Sequence, residues 1–137
     1  MKLPLKNPML VSCRAKGHGG AVRELSAIID FNAEYSVILA RDALALGYIE
    51  AGIRPKEWRN THPDRVPMLL DLRGIERGNL VTLKEVSVGP LTAEEVDAVV
   101  VELGFPRAAP FDFVLGRSFL KDFRLEVDMK QGVLTLA

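Results

Sequence analysis

An aspartate at the end of an apolar strand is the residue of this chain best placed to do chemistry. In Ile28-Ile29-Asp30-Phe31-Asn32-Ala33-Glu34-Tyr35-Ser36-Val37-Ile38, one apolar run closes on Asp30, a turn follows, and a second apolar run begins. A carboxylate set between two buried strands is either functional, as a proton donor or acceptor, or held by a specific hydrogen-bond network. The alternative is ordinary turn chemistry, because the short polar side chains of Asp-x-Asn cap their own backbone. A second stretch weighs for function. Phe111-Asp112-Phe113-Val114-Leu115-Gly116-Arg117-Ser118-Phe119-Leu120 is another apolar strand that ends in a tight turn and a short helix, so the two halves of the chain read as pseudo-repeats.

Together these stretches resemble the retropepsin family of homodimeric aspartic proteases. That family carries an apolar strand followed by Asp-Thr/Ser-Gly-Ala, and further on two apolar residues and Gly, often followed by Arg and a short helix. Here the motifs read Asp30-Phe31-Asn32-Ala33 and Val114-Leu115-Gly116-Arg117, and the resemblance runs from about residue 9 to 136. It implies a mainly β, retropepsin-like closed β-barrel (the acid-protease fold) with one or two short helices, homodimeric, acting on a polypeptide substrate or peptide ligand. It implies no cofactor and no metal. With one Asp motif per chain, the two Asp30 carboxylates would meet across a two-fold axis, where like charges cannot both ionise and the pair shares a proton. The ionised member draws a proton from water while the protonated one polarises the scissile carbonyl.

The active loop Phe31, Asn32 and Ala33 departs from the family pattern at its first two positions. The family's hydroxyl, which bonds across the dimer, is replaced by Phe31, whose ring either packs on its twin or forces the loops apart. The family's glycine is replaced by Asn32, which tolerates a tight turn but narrows the cleft. Two readings follow: an aspartic endopeptidase with Asp30 as the catalytic residue, or a catalytically inactive module of the same fold that binds peptide or serves as a scaffold. The resemblance also implies a salt bridge between Glu34 and Arg117, a substrate groove lined by Ala33, Phe113 and Val114, and a flap whose glycine-bearing tip involves Gly74 and Ile75. It further implies chain ends interleaved between protomers, with residues 1–8 as an arm and 124–136 as a hairpin.

The elements that would position these residues are mostly strands. Met9, Val11, Cys13 and Ala15 alternate with Leu10, Ser12, Arg14 and Lys16, and Leu25, Ala27 and Ile29 alternate with Glu24, Ser26 and Ile28. Period-two runs on either side of Gly17-His18-Gly19-Gly20 predict a hairpin that delivers Asp30, with His18 as a solvated turn residue. Residues 39–46 are rich in helix formers and close on Gly47, which predicts a short helix. Between 50 and 67 periodicity disappears, and a loop with Trp58, His62 and several arginines is expected. Residues 67–88 read as the flap hairpin with its turn at 74–79; 96–101 as a strand buried on both faces; 117–122 as a short helix; 125–128 and 133–136 as a closing hairpin.

Composition narrows the function classes. The 137 residues suit one domain, with 48% hydrophobic and 26% charged residues. A chain of that size buries a core without metal or disulfide help. Acidic and basic residues balance at 18 each, which argues against nucleic acid or an anionic membrane as partner despite the arginines of 54–65. No apolar run approaches the roughly 20 residues that span a bilayer, and two prolines within residues 1–10 argue against a signal peptide. A cytoplasmic location is expected. The single cysteine, Cys13, permits no internal disulfide and reads as a small core residue.

Overall fold

A computed structural model of the chain describes residues 1–6, 9–48, 65–71, 74–101 and 111–137, with 65–71 and 74–79 described by their backbone pairing. Strands β2 (Leu10–Lys16) and β3 (Val22–Ile29) form the expected antiparallel hairpin, in register from Leu10↔Ile28 to Lys16↔Val22. The faces expected to be apolar are the buried ones: Val11, Cys13 and Ala15 on β2, Leu25, Ala27 and Ile29 on β3. After the Asp30 turn come β4 (Ser36–Leu39) and the helix α1 (Ala40–Ala45). The second half repeats this order. A hairpin of β6 (Gly74–Val88) and β7 (Leu91–Val101) is followed by β8 (Phe113–Leu115) and the helix α2 (Arg117–Leu120).

The halves interlock through their third strands. β8 runs parallel to β3 (Ala27↔Phe113 to Ile29↔Leu115), β4 runs parallel to β7 (Ser36↔Ala98 to Leu39↔Val101), and β4 and β8 meet antiparallel between them. The order β2-β3-β8-β4-β7-β6 closes on itself because β2 also pairs β6, at Arg14↔Ser87 to Lys16↔Glu85. The result is a closed barrel of six strands, filled by the inward residues of each. Such closure leaves no open edge in the ring. Strand β5 (Arg65–Asp71) lies outside the ring, paired with the first part of β6.

The barrel turns a corner within the β6–β7 hairpin. Leu83 and Val86 are both buried on β6, and so are Ala93 and Val96 on β7, so both strands exchange inward and outward faces at the same level. Register is therefore kept across the corner, from Asn79↔Val100 to Val88↔Leu91. Glu95 takes a left-handed backbone there, with φ of 53°, which a non-glycine residue adopts at some strain. His18 lies exposed in the hairpin turn as expected, and it also clips this corner: its Nδ1 is 2.9 Å from the Tyr48 hydroxyl and its Nε2 3.3 Å from Glu95 Oε2, while the Lys84 amide donates to the same hydroxyl. Gly17 is required beneath it, because a Cβ would collide with the Leu46 carbonyl oxygen at the end of α1.

A second, three-stranded sheet joins the chain ends in the order β1 (Lys2–Pro4), β10 (Val133–Leu136), β9 (Leu125–Asp128). The N-terminal residues pair in cis, from Lys2↔Thr135 to Pro4↔Val133, and the Met1 ammonium donates to the Leu136 carbonyl at 2.6 Å. Leu134 and Leu136 reach from this sheet into the main core. The β5–β6 hairpin differs from the expected flap in one respect. Residues 74–79 belong to strand β6 and not to its turn, since Asp71↔Gly74 and Leu70↔Ile75 already pair. An unbroken ladder from Gly74 onward satisfies more backbone groups than a six-residue turn would. The expected loop at 50–67 lies outside the described residues except at its end, where Arg65 already begins strand β5. No helix among the described residues is long and apolar enough to cross a membrane.

Candidate active site

Asp30 sits where β3 leaves the barrel. Its amide donates to the Leu115 carbonyl at 3.0 Å, extending the β3–β8 ladder by one residue, and the chain then turns. The half-buried side chain caps that turn: the Asn32 amide donates to Asp30 Oδ1 at 2.9 Å, and the Ala33 amide donates to the Asp30 carbonyl at 3.3 Å. Turn chemistry and a fixed carboxylate are thus one arrangement here. Oδ2 has no partner among the described residues. Asn32 thus engages the carboxylate through its backbone amide, independently of its side chain.

The loop is held from below by the second motif. The Arg117 amide donates to the Ala33 carbonyl at 2.8 Å and the Ser118 amide to the Glu34 carbonyl at 3.0 Å, so the start of α2 is bonded to the active loop. Gly116 passes directly beneath it: a Cβ there would meet the Tyr35 carbonyl oxygen, lie 2.6 Å from the Tyr35 carbonyl carbon and 2.9 Å from the Ala33 carbonyl oxygen. Only glycine allows that approach.

Two serines complete the crossing. Ser118 Oγ donates to the Asp97 carbonyl at 2.6 Å, which uses its one proton. Ser36 must therefore be the donor in the 2.9 Å contact between the two hydroxyls. Ser118 Oγ also accepts from the Ser36 amide at 2.9 Å, and Ser36 Oγ accepts from the Gly116 amide at 3.1 Å. Every donor of this buried group is used, which is the condition under which a buried polar network is stabilising.

The structure brings together Asp30, Phe31, Asn32, Ala33, Glu34 and Arg117 at one loop, but not through the expected side-chain pair. No Glu34–Arg117 salt bridge occurs among the described residues. Both side chains are exposed, where an ion pair contributes little, and the backbone bonds already make the tie. Phe113 is core and not groove: its side chain points into the main cluster and is fully buried. Val114 points to the opposite side of β8, into a smaller cluster with Val37, Val99 and Val101, against which Ala33 packs. Gly74 and Ile75 lie in β6, with nothing in the backbone pairing to bring them to Asp30. The ring of Phe31 is 43% exposed.

Ser36, Ser118, Asp42 and Asp112 were not singled out in the sequence; the two serines and Asp112 hold the strands around the site, and Asp42 ties α1 to the other end of β3. Asp42 is buried in α1 with Arg23 Nε at 2.9 Å and Arg41 Nε at 3.5 Å. Asp112 Oδ1 accepts from the Ser26 amide at 2.8 Å, clamping β3 to the chain entering β8. The one sequence signal for these residues was their place in the repeated halves: serine at the head of β4 and serine just after Gly116-Arg117.

No protein-family model matches the chain, and no curated protein sequence does. Solved structures do match. The chain is similar to a retropepsin-like aspartic protease from Rickettsia conorii, with a TM-score of 0.62 and 15% identity, over 99% of this chain and 88% of that one. The fold is that of the retropepsin-like proteases. A retroviral protease-like domain of Ddi1 from Leishmania major is similar at a TM-score of 0.53 and 16% identity, over 94% of this chain and 87% of that domain. The Asp30 turn and the Gly116 crossing are the two stretches of this chain on which the sequence resemblance rests.

Proposed function

We propose that this chain is a retropepsin-like aspartic endopeptidase that acts as a homodimer on polypeptide, with the two copies of Asp30 as its catalytic pair. The observation that carries the reading is the state of that carboxylate, fixed through Oδ1 by a backbone amide and with Oδ2 unengaged among the described residues. A positioned carboxylate with a free oxygen is what water activation requires. In the dimer the pair shares one proton and titrates as a unit. The ionised member takes a proton from water as the water oxygen attacks the scissile carbonyl carbon, and the protonated member gives its proton to the carbonyl oxygen. Collapse of the tetrahedral diol breaks the C–N bond and returns a proton to the leaving amine. The reading includes a cytoplasmic location, in keeping with the single, reduced and buried Cys13.

The exposed ring of Phe31 favours a second reading, a dimer of the same fold that binds an extended peptide without cutting it. Cleavage of a mixed peptide library at about pH 4 to 7 separates the two, using the native chain, Asp30→Asn, and the double variant Phe31→Thr, Asn32→Gly. The enzyme reading expects cleavage by the native chain that disappears in Asp30→Asn. Cleavage by the double variant alone makes the native protein a binding module, and silence of all three overturns the enzyme reading.

A further inference from the structure

At the other end of the β2–β3 hairpin from Asp30, an imidazole stands in line between a phenol and a carboxylate. An ionised Glu95 can only accept, so the proton of neutral His18 belongs on Nε2, 3.3 Å from Glu95 Oε2. Nδ1 is then a bare acceptor, and the Tyr48 hydroxyl lies 2.9 Å from it. The Lys84 amide donates to that hydroxyl at 3.0 Å, which occupies one of its lone pairs and leaves its own proton for Nδ1. Every contact thus has one consistent direction, from the Lys84 amide through Tyr48 and from His18 to Glu95. A nucleophile bonded to a base that a third group orients is the arrangement by which enzymes activate hydroxyls.

Two features distinguish this line of groups from a passive fastening. Glu95 presents its carboxylate from a left-handed backbone, with φ of 53°, and residues held in such conformations cluster at functional sites. The line is also open to a reagent. The side chains of His18 and Glu95 are 50% and 57% exposed. Gly19 follows His18 and Gly47 precedes Tyr48, and a Cβ at either would meet nothing within 4 Å among the described residues. A small molecule therefore has room on both sides of the pair.

We infer that Tyr48 is a modification site, whose hydroxyl attacks activated acyl donors with His18 as general base and Glu95 orienting the imidazole. The Tyr48 oxygen bonds to the carbonyl carbon of the donor as its proton passes to His18 Nδ1, and the bond from that carbon to the leaving group breaks with its electron pair on the leaving group. The products are an aryl ester at Tyr48, the leaving-group anion and an imidazolium beside Glu95, which returns its proton to water. Base assistance is essential here. Burial pushes the Tyr48 hydroxyl above its ordinary value of 10.0, although the Lys84 amide opposes the rise, so phenolate is scarce at neutral pH. The reaction uses none of the groups around Asp30, so it is tested apart from the proposed endopeptidase.

The chain supplies its own control, because its other tyrosine, Tyr35, is half-buried like Tyr48 and has no imidazole beside it among the described residues. Treatment with N-acetylimidazole at about pH 7.5, followed by peptide mass spectrometry, reads the acetylation of both in one sample. In the native chain Tyr48 is expected to react about a hundredfold faster than Tyr35. His18→Gln keeps a polar side chain that cannot take up a proton, and is expected to bring Tyr48 to within about threefold of Tyr35, whose own rate stays at the native value if the fold is intact. Glu95→Gln is expected to slow Tyr48 by about tenfold with His18 still in place. Equal rates for the two tyrosines in the native chain overturn the inference. So does a preference for Tyr48 that survives His18→Gln, since exposure and not a base would then be its cause, and a native rate in Glu95→Gln overturns the orienting role.

Discussion

Asp30 and Cys13 belong to the same hairpin, one just past the end of β3 and the other inside β2, and are treated in opposite ways by the fold. Asp30 is half-buried and has a backbone donor, so its charge has a partner; Cys13 faces the core, and burial pushes its thiol up from 9.0 to about 12, with Asp112 and Glu24 adding to the rise. The sign of the consequence follows from proton binding. Above pH 9 the unfolded chain releases the thiol proton and the folded chain keeps it, so stability falls as pH rises from about 9 to about 12. A rise of that size corresponds to about 4 kcal/mol at the upper end. Chemical denaturation at successive alkaline pH values is expected to show this loss in the native chain, and Cys13→Ala is expected to remove most of the slope.

At the scale of elements, the site depends on how closely two short pieces of chain cross. The Asp30 loop and the head of α2 are joined by two backbone bonds and by the Ser36–Ser118 network, and the crossing distance is set by the missing side chain of Gly116. Gly116→Ala must displace the carbonyls of Ala33 and Tyr35, and the first of these accepts the Arg117 amide that holds the loop. A loss of about 3 kcal/mol is expected from overpacking at such a point. Urea denaturation measures it, and nuclear magnetic resonance shifts at the amides of Asn32, Arg117 and Ser118 should move with it. A variant with native stability and unmoved amides would show that the crossing has more room than the geometry allows. The clip of His18 on Tyr48 and Glu95 works at the opposite corner of the barrel and fastens the β2–β3 turn to the β6–β7 hairpin.

For the whole molecule, the six-stranded ring is closed within one chain, whereas the terminal sheet has a free edge at β9. The barrel core can therefore form in a monomer, and in the proposed dimer association adds stability on top of it. Thermal unfolding is accordingly expected to depend on concentration: a hundredfold increase in protein should stabilise the chain by about 2–3 kcal/mol of dimer, seen as a rise of several degrees in Tm, by mass action. Calorimetry across that range checks it, and a constant Tm would mean that the folded chain gains nothing from a second copy.

The barrel was legible in the chain because its signals are local. Period-two alternation in 9–15 and 21–29, the helix formers after Ile38, and the repeated order of strand, turn and helix each depend on neighbours a few residues apart, and the inward faces they define are the buried ones. Asp30 was legible for the same reason, as a carboxylate interrupting two apolar runs. What could not be read were the partners made by long-range packing. Glu34 and Arg117 have complementary charge, but whether they pair depends on the distance between two exposed side chains, and the crossing brings their backbones together instead. The serines were hidden because a hydroxyl at 36 or 118 acquires its role only when strands 80 residues apart bury it. Phe113 and Val114 are equally apolar in sequence, and the closed barrel alone decides that one side of β8 faces the main core and the other a separate cluster.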